Sequence, residues 1–176
     1  MSITVRRFDC TPEQVFTVLA DPWVYPTWVV GASRLRSADP DWPRPTTRLH
    51  HSIGVWPLVL NDVTRVNAWD APRRVELTAN TWPFGRERVI IEVQPRDNGS
   101  LVLMEERVVS GPLRFIPKRL MDVVLNIRNA ETLRRLEYVA KGRAAEALTA
   151  AGRAAEGRLV QGQNELDRED DLDELD

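Results

Sequence analysis

LRFIPKRLMDVVLNIRNAETLRRLEYVAKGR, residues 113–143, is the longest helical pattern in the chain and follows a series of strand-like runs. At 100° per residue, Leu113, Ile116, Leu120, Val123, Val124 and Ile127 share one face, which turns polar at Glu131 and Arg134. Leu125, Asn129, Thr132, Leu133, Leu136 and Ala140 form a second stripe, roughly opposite. The C-terminal half therefore reads as a one-sided helix gripped by a sheet, while the N-terminal half is apolar nearly all round. Three explanations stay open for that surplus: a helix start later than Leu113, a kink near Pro117 with both faces buried, or an apolar face bordering a ligand or a partner. Beyond Gly142, AAEALTAAGRAAEG extends the helix by propensity alone and is expected to fray.

Upstream of this helix, strands dominate. RRVELTANTW places Val75, Leu77 and Ala79 on one face, and ERVIIEVQP does the same with Val89, Ile91 and Val93. Asp97-Asn98-Gly99 is a hairpin turn leading into LVLMEERVVS, which Gly111-Pro112 ends. SRLRSAD, TTRLHHSIGV and PLVLNDVTRVNAW supply three earlier strands, and ITVRRFDC the first. Between ITVRRFDC and SRLRSAD lies TPEQVFTVLADP, with Thr11 as cap, Pro12 in the first turn and Gln14 as capping-box partner. WVYPTWVVGA then reads as a second, short or broken helix. Short turns between adjacent strands imply an antiparallel sheet, so the fold class is α+β: about seven strands curled around a long C-terminal helix, with two short helices after the first strand.

Length and composition bound the rest. The 176 residues suit one domain of ordinary size, with 43% hydrophobic and 28% charged residues, as in a soluble globular protein. The single cysteine, Cys10, excludes an internal disulfide framework and fits a reducing compartment. No apolar run is long enough to span a bilayer, and MSITVRRFDC lacks the apolar core of a signal peptide, so a cytoplasmic location is the expectation. The net charge of −2 hides a division: residues 161–176 carry eight acidic residues and one basic, leaving 18 acidic against 23 basic in residues 1–160. The acidic run, without aromatics, is expected to be a disordered tail. Residues 1–148 are read as one folded domain, and 149–176 as an Ala-rich helix extension and acidic tail.

The order and spacing of several short motifs carry a family resemblance. Thr11-Pro12 opens the first helix and Asp21-Pro22 closes it; Tyr25-Pro26, Trp28 and Gly31 follow. WDAPRRVEL sits at a strand–turn–strand junction, and MEERVVSGP precedes RNAETLRRLEYVAKGR. Together these resemble the START-like, or SRPBCC, superfamily, close to its polyketide cyclase/dehydrase branch, over residues 2–143. The resemblance implies a helix-grip fold with a deep apolar cavity between sheet and C-terminal helix. It also implies a lipid, polyketide or other hydrophobic small-molecule ligand, with cyclisation or dehydration in some members. The family has no universal catalytic residue, so the fold alone does not establish an enzyme.

Strand parity selects the polar candidates. His50 and His51 point to opposite faces, and parity with Leu49 and Ile53 puts His51 inside, where it could act as acid, base or ligand anchor. Parity through Val66 and Ala68 places Asp62 and Thr64 inward, unless a bulge reverses them. Parity with Val102 and Met104 favours Glu106 over Glu105 as the inward carboxylate. Asp62 and Glu106 therefore join His51 as acid–base candidates; the structural alternatives are an interior hydrogen bond for His51, an exposed position near a turn for Asp62 and an ion pair with an arginine for Glu106. All six tryptophans fall in the first half of the chain. Trp28 and Trp82 suit a cavity rim, and Trp42 and Trp69 the core. Met104, Met121, Leu125 and Asn129 complete the ligand-contacting set, Asn129 with a structural role as its alternative.

No glycine-rich phosphate loop, paired cysteine motif or metal-ligand spacing is present, so neither cofactor nor metal is expected. The mildly basic domain mixes its arginines with acidic residues, which argues against nucleic acid. Three functions remain: binding of a hydrophobic small molecule, a cyclase/dehydratase using His51 with an inward carboxylate, and a protein-interaction or homodimer surface around Leu120, Val124 and Ile127.

Overall fold

The computed structural model describes residues 2–81, 85–111 and 118–173, and the chain falls into two compact units, Met1–Lys141 and Gly142–Asp176. The first unit begins with strand β1 (Ser2–Phe8), followed by helix α1 (Pro12–Leu19), a single tight turn (Pro22–Val24) and helix α2 (Tyr25–Trp28). Six strands follow: β2 (Ala32–Ala38), β3 (Arg48–Val55), β4 (Leu58–Asp70), β5 (Arg74–Thr81), β6 (Gly85–Arg96) and β7 (Gly99–Ser110). Helix α3 (Lys118–Asp173) completes the chain. The strands form one antiparallel sheet in the order β1-β7-β6-β5-β4-β3-β2, so β1 crosses over to pair with the last strand. This is the helix-grip fold.

Local chemistry explains the element starts. The Thr11 side chain accepts from the backbone N–H of Gln14, whose side chain accepts from the Thr11 backbone N–H, closing a capping box around α1. Asp21 caps the next turn through Trp23 N–H at 2.8 Å. Gly31, at φ +101°, takes the left-handed conformation that redirects the chain into β2, and its carbonyl receives the Gly54 N–H at 2.9 Å. At the tip of the β3–β4 hairpin Gly54 leaves room that a side chain would take: a Cβ there would meet the Leu58 carbonyl oxygen at 2.2 Å.

One face of the sheet builds the core. Val75 and Leu77 on β5, Ile91 and Val93 on β6, and Val102 and Met104 on β7 are buried at alternate positions. Phe8, Val15, Phe16 and Leu49 join them, and Trp69 packs edge-on against Phe16 with ring centroids 5.1 Å apart. On β4 the register shifts between Val66 and Ala68. The shift lies beyond Asp62 and Thr64, which keep the inward parity expected of them, while Ala68 is exposed and Trp69 turns toward the core.

The stripe of α3 that runs from Leu125 through Asn129, Thr132, Leu133 and Leu136 to Ala140 is buried throughout, at 4% exposure or less. Side-chain bonds fasten this part of the helix to β1: Arg6 Nε donates to Glu137 Oε2 at 2.9 Å, and Ser2 Oγ to Asn126 Oδ1 at 2.5 Å. The opposite stripe goes elsewhere. Val123, Val124 and Ile127 are 56%, 53% and 70% exposed, so the surplus apolar surface of the early helix lies open rather than in the core. Leu113 and Ile116 fall outside the described residues, as does the Leu120 side chain.

In the second unit the helix continues through the acidic run to Asp173, where the sequence suggested a disordered tail. Ala, Glu, Leu, Gln and Arg, which dominate this unit, all favour helix. Among the described residues no helix is long and apolar enough to cross a membrane.

Candidate functional site

A cavity of about 310 Å³ opens inside the first unit, between the inner face of the sheet, the segment around α2 and helix α3. Its walls follow strand parity: His51 and Ile53 from β3, Asp62 and Thr64 from β4, Leu77 and Ala79 from β5. Glu87, Val89 and Ile91 from β6 line it next, with Met104 and Glu106 from β7. Tyr25 and Trp28 close one side, and Arg128 and Thr132 approach from α3. Apolar walls dominate, but the polar groups gather into two clusters.

The first cluster centres on His51. Its Nε2 lies 3.4 Å from Asp62 Oδ2, and both side chains are 2% exposed. They face each other because Asp62 is the cross-strand partner of His51 in the β3–β4 ladder. Burial pushes the His51 imidazole down to about 4 and lifts the Asp62 carboxyl to about 6. Above that range the pair is a neutral imidazole beside a carboxylate, with Nε2 the ring nitrogen that faces Asp62. Nδ1 has no hydrogen-bond partner among the described residues. Asp62 Oδ1 accepts the Val63 N–H at 2.7 Å, which holds the carboxyl in place. Tyr25 packs edge-on against His51 at 4.9 Å between ring centres, and its hydroxyl shares a 3.1 Å hydrogen bond with Thr64 Oγ1.

Glu106, Glu87 and Arg128 form the second cluster. Arg128 Nη2 donates to Glu106 Oε1 and sits 3.5 Å from Glu87 Oε2. Glu106 is fully buried and its Oε2 has no partner among the described residues. Burial, with the hydrogen bond and charge of Glu106 behind it, raises the Glu87 carboxyl to about 7. The two acidic neighbours hold the Arg128 guanidinium above its usual range against the opposing effect of burial.

The structure brings together most of the residues singled out by parity. His51, Asp62, Thr64, Met104, Glu106 and Trp28 all line the cavity, and Trp28 Nε1 has no partner among the described residues. Leu125 and Asn129 are buried under the sheet but lie outside the described lining. Trp82 and the Met121 side chain fall outside the described residues.

Tyr25, Glu87, Arg128 and Thr132 were not singled out as site residues, although three of them had a legible signal. Glu87 shares parity with Val89, Ile91 and Val93. Arg128 lies three residues after Leu125 and four before Thr132, on the buried stripe of the helix. Thr132 belonged to that stripe. Tyr25 stood only in a family motif, and no residue pattern assigned it a role.

With this geometry in view, the comparisons identify the family. The family model described as polyketide cyclase/dehydrase and lipid transport matches residues 2–141, and the chain belongs to that family, an SRPBCC-type group. Among solved structures, a protein of unknown function from Staphylococcus aureus, SA2116, is similar at a TM-score of 0.65 and 10% identity, covering 81% of this chain and 94% of that one. NE0264 from Nitrosomonas europaea is similar at 0.63 and 16% identity, covering 81% and 95%. Ara h 8.0201 is similar at 0.61 and 11% identity, covering 79% and 96%. At such identities the likeness concerns the fold. The comparison with curated proteins finds no match.

Proposed function

We propose that the first unit binds a compact hydrophobic molecule, aromatic or polyketide-like, in the cavity beneath α3. The observation that carries this reading is the cavity itself. At about 310 Å³ it stands at the small end of the range for ligand sites, about 300–1,000 Å³, and it combines apolar walls with a few convergent polar groups. Its size favours a fused-ring body over a long-chain lipid. Trp28 Nε1 and His51 Nδ1, without partners among the described residues, offer two ring nitrogens to a polar edge. Calorimetric titration with naphthalenemethanol tests it. Saturable binding to the native chain is expected, and its loss in Ala79→Trp, where an indole fills the cavity from β5. Equal binding by native and filled protein contradicts the reading.

The His51–Asp62 contact favours a second reading, acid–base catalysis of a cyclisation or dehydration. The His51 imidazole, neutral beside the Asp62 carboxylate, is the group that would take a proton from a carbon beside a carbonyl. Catalysis requires that His51→Ala lose turnover of an aryl poly-β-keto thioester while still binding naphthalenemethanol. Retained turnover in that variant removes His51 from the chemistry, and no turnover by the native chain leaves the protein a binder only.

A further inference from the structure

The second polar cluster is unbalanced. Two carboxyls, Glu106 and Glu87, meet one guanidinium, and Arg128 is already engaged with both. Glu106 is 0% exposed and lines the cavity, and apart from the hydrogen bond it shares with the protonated Glu87 carboxyl its Oε2 has no donor among the described residues. A buried carboxylate oxygen left unpaired is costly, and a donor brought by a ligand offsets that cost. An anionic ligand would instead add a third negative group to the same corner. A neutral hydroxyl supplies a hydrogen; a protonated nitrogen supplies a hydrogen and the missing positive charge.

Resting on the binding reading above, we infer that this cavity selects a hydrophobic molecule bearing one basic nitrogen, seated against Glu106 and Glu87, over the corresponding carboxylic acid. The free protein relieves part of its charge excess by holding a proton. Glu87 stays protonated up to about 7 because it is buried and because Glu106 lies beside it. A ligand ammonium takes the place of that proton, so binding releases it. The charged groups facing Glu87 are Glu106 from β7 and Arg128 from α3, while its cross-strand neighbour on β5 is the uncharged Ala79. Elsewhere on the cavity wall Asp62 titrates near 6 and His51 near 4, so only the loss of proton release in a Glu87 variant assigns the effect to Glu87.

Three probes with one ring system test the inference by calorimetry on the full chain: naphthylmethylamine, naphthalenemethanol and naphthoate. The amine is expected to bind roughly tenfold to a hundredfold more tightly than naphthoate, the range set by a hydrogen bond to a charged group. In Glu106→Gln the amine is expected to fall to the level of the alcohol, with a native-like melting transition as the control for folding. Binding enthalpies in buffers of different ionisation heat are expected to show proton release with the amine at neutral pH, lost in Glu87→Gln. Naphthoate binding as tightly as the amine, or an amine preference that survives Glu106→Gln, overturns the inference while the alcohol still demonstrates a ligand cavity. Failure of all three probes to bind overturns both.

Discussion

At the scale of single residues, the chemistry is governed by what burial does to ionisable groups. Asp62 has its carboxyl lifted from 3.8 to about 6, so its neutral form is favoured in the folded chain. The stability it contributes is therefore full below the unfolded value and is lost as pH rises through about 6. Asp62→Asn is expected to melt like the native protein in acid and to be more stable above neutrality by about 1–2 kcal/mol, part of what a shift of that size represents. Chemical denaturation as a function of pH checks the sign; a variant less stable at high pH contradicts it. His51 runs the other way, since its lowered value makes its contribution full above 6.5 and lost as pH falls through about 4. Parity from Leu49 and Ile53 was enough to place His51, and parity with Met104 placed Glu106. Their partners were another matter: the Arg128 contact joins helix to sheet across 22 residues, and strand periodicity says nothing of it.

At the scale of elements, α3 shows how far a helical pattern can be read. Both apolar stripes were visible in the sequence, and so was the buried one's fit to a gripped helix. Which stripe met the sheet at Val123–Ile127 was not, because an all-apolar turn satisfies either face. The two stripes are expected to respond differently to substitution. Leu133, 0% exposed, leaves a cavity when truncated, and Leu133→Ala is expected to lose about 2–5 kcal/mol in urea denaturation. Ile127, 70% exposed, is expected to change stability by no more than about 0.5 kcal/mol when replaced by serine. Similar losses at the two positions would mean that the exposed face is covered in solution. On β4 the bulge was foreseen as a hazard to parity. It occurs, but past Val66, so the cavity wall keeps the alternation that made Asp62 and Thr64 legible.

At the scale of the whole molecule, the order of elements carried the fold: a strand, two short helices, six strands and a long helix leave few topologies other than a sheet wrapped on that helix. The lining was less legible, since the resemblance implied an apolar cavity and the walls hold three carboxyls, a histidine and an arginine. Among the described residues, those lining the cavity all belong to the first unit. A chain ending at Lys141 is accordingly expected to bind naphthalenemethanol with the affinity of the full chain, by calorimetry; a large loss would assign residues 142–176 a part in binding.

The central claim is that the space under α3 is a ligand site. The most direct measurement is a titration of methyl-labelled protein with naphthalenemethanol, followed by NMR. Saturable shifts are expected at Leu77, Val89, Ile91 and Met104, with Ile127 unmoved. Shifts confined to Val123, Val124 and Ile127, or none at the cavity methyls, would contradict it.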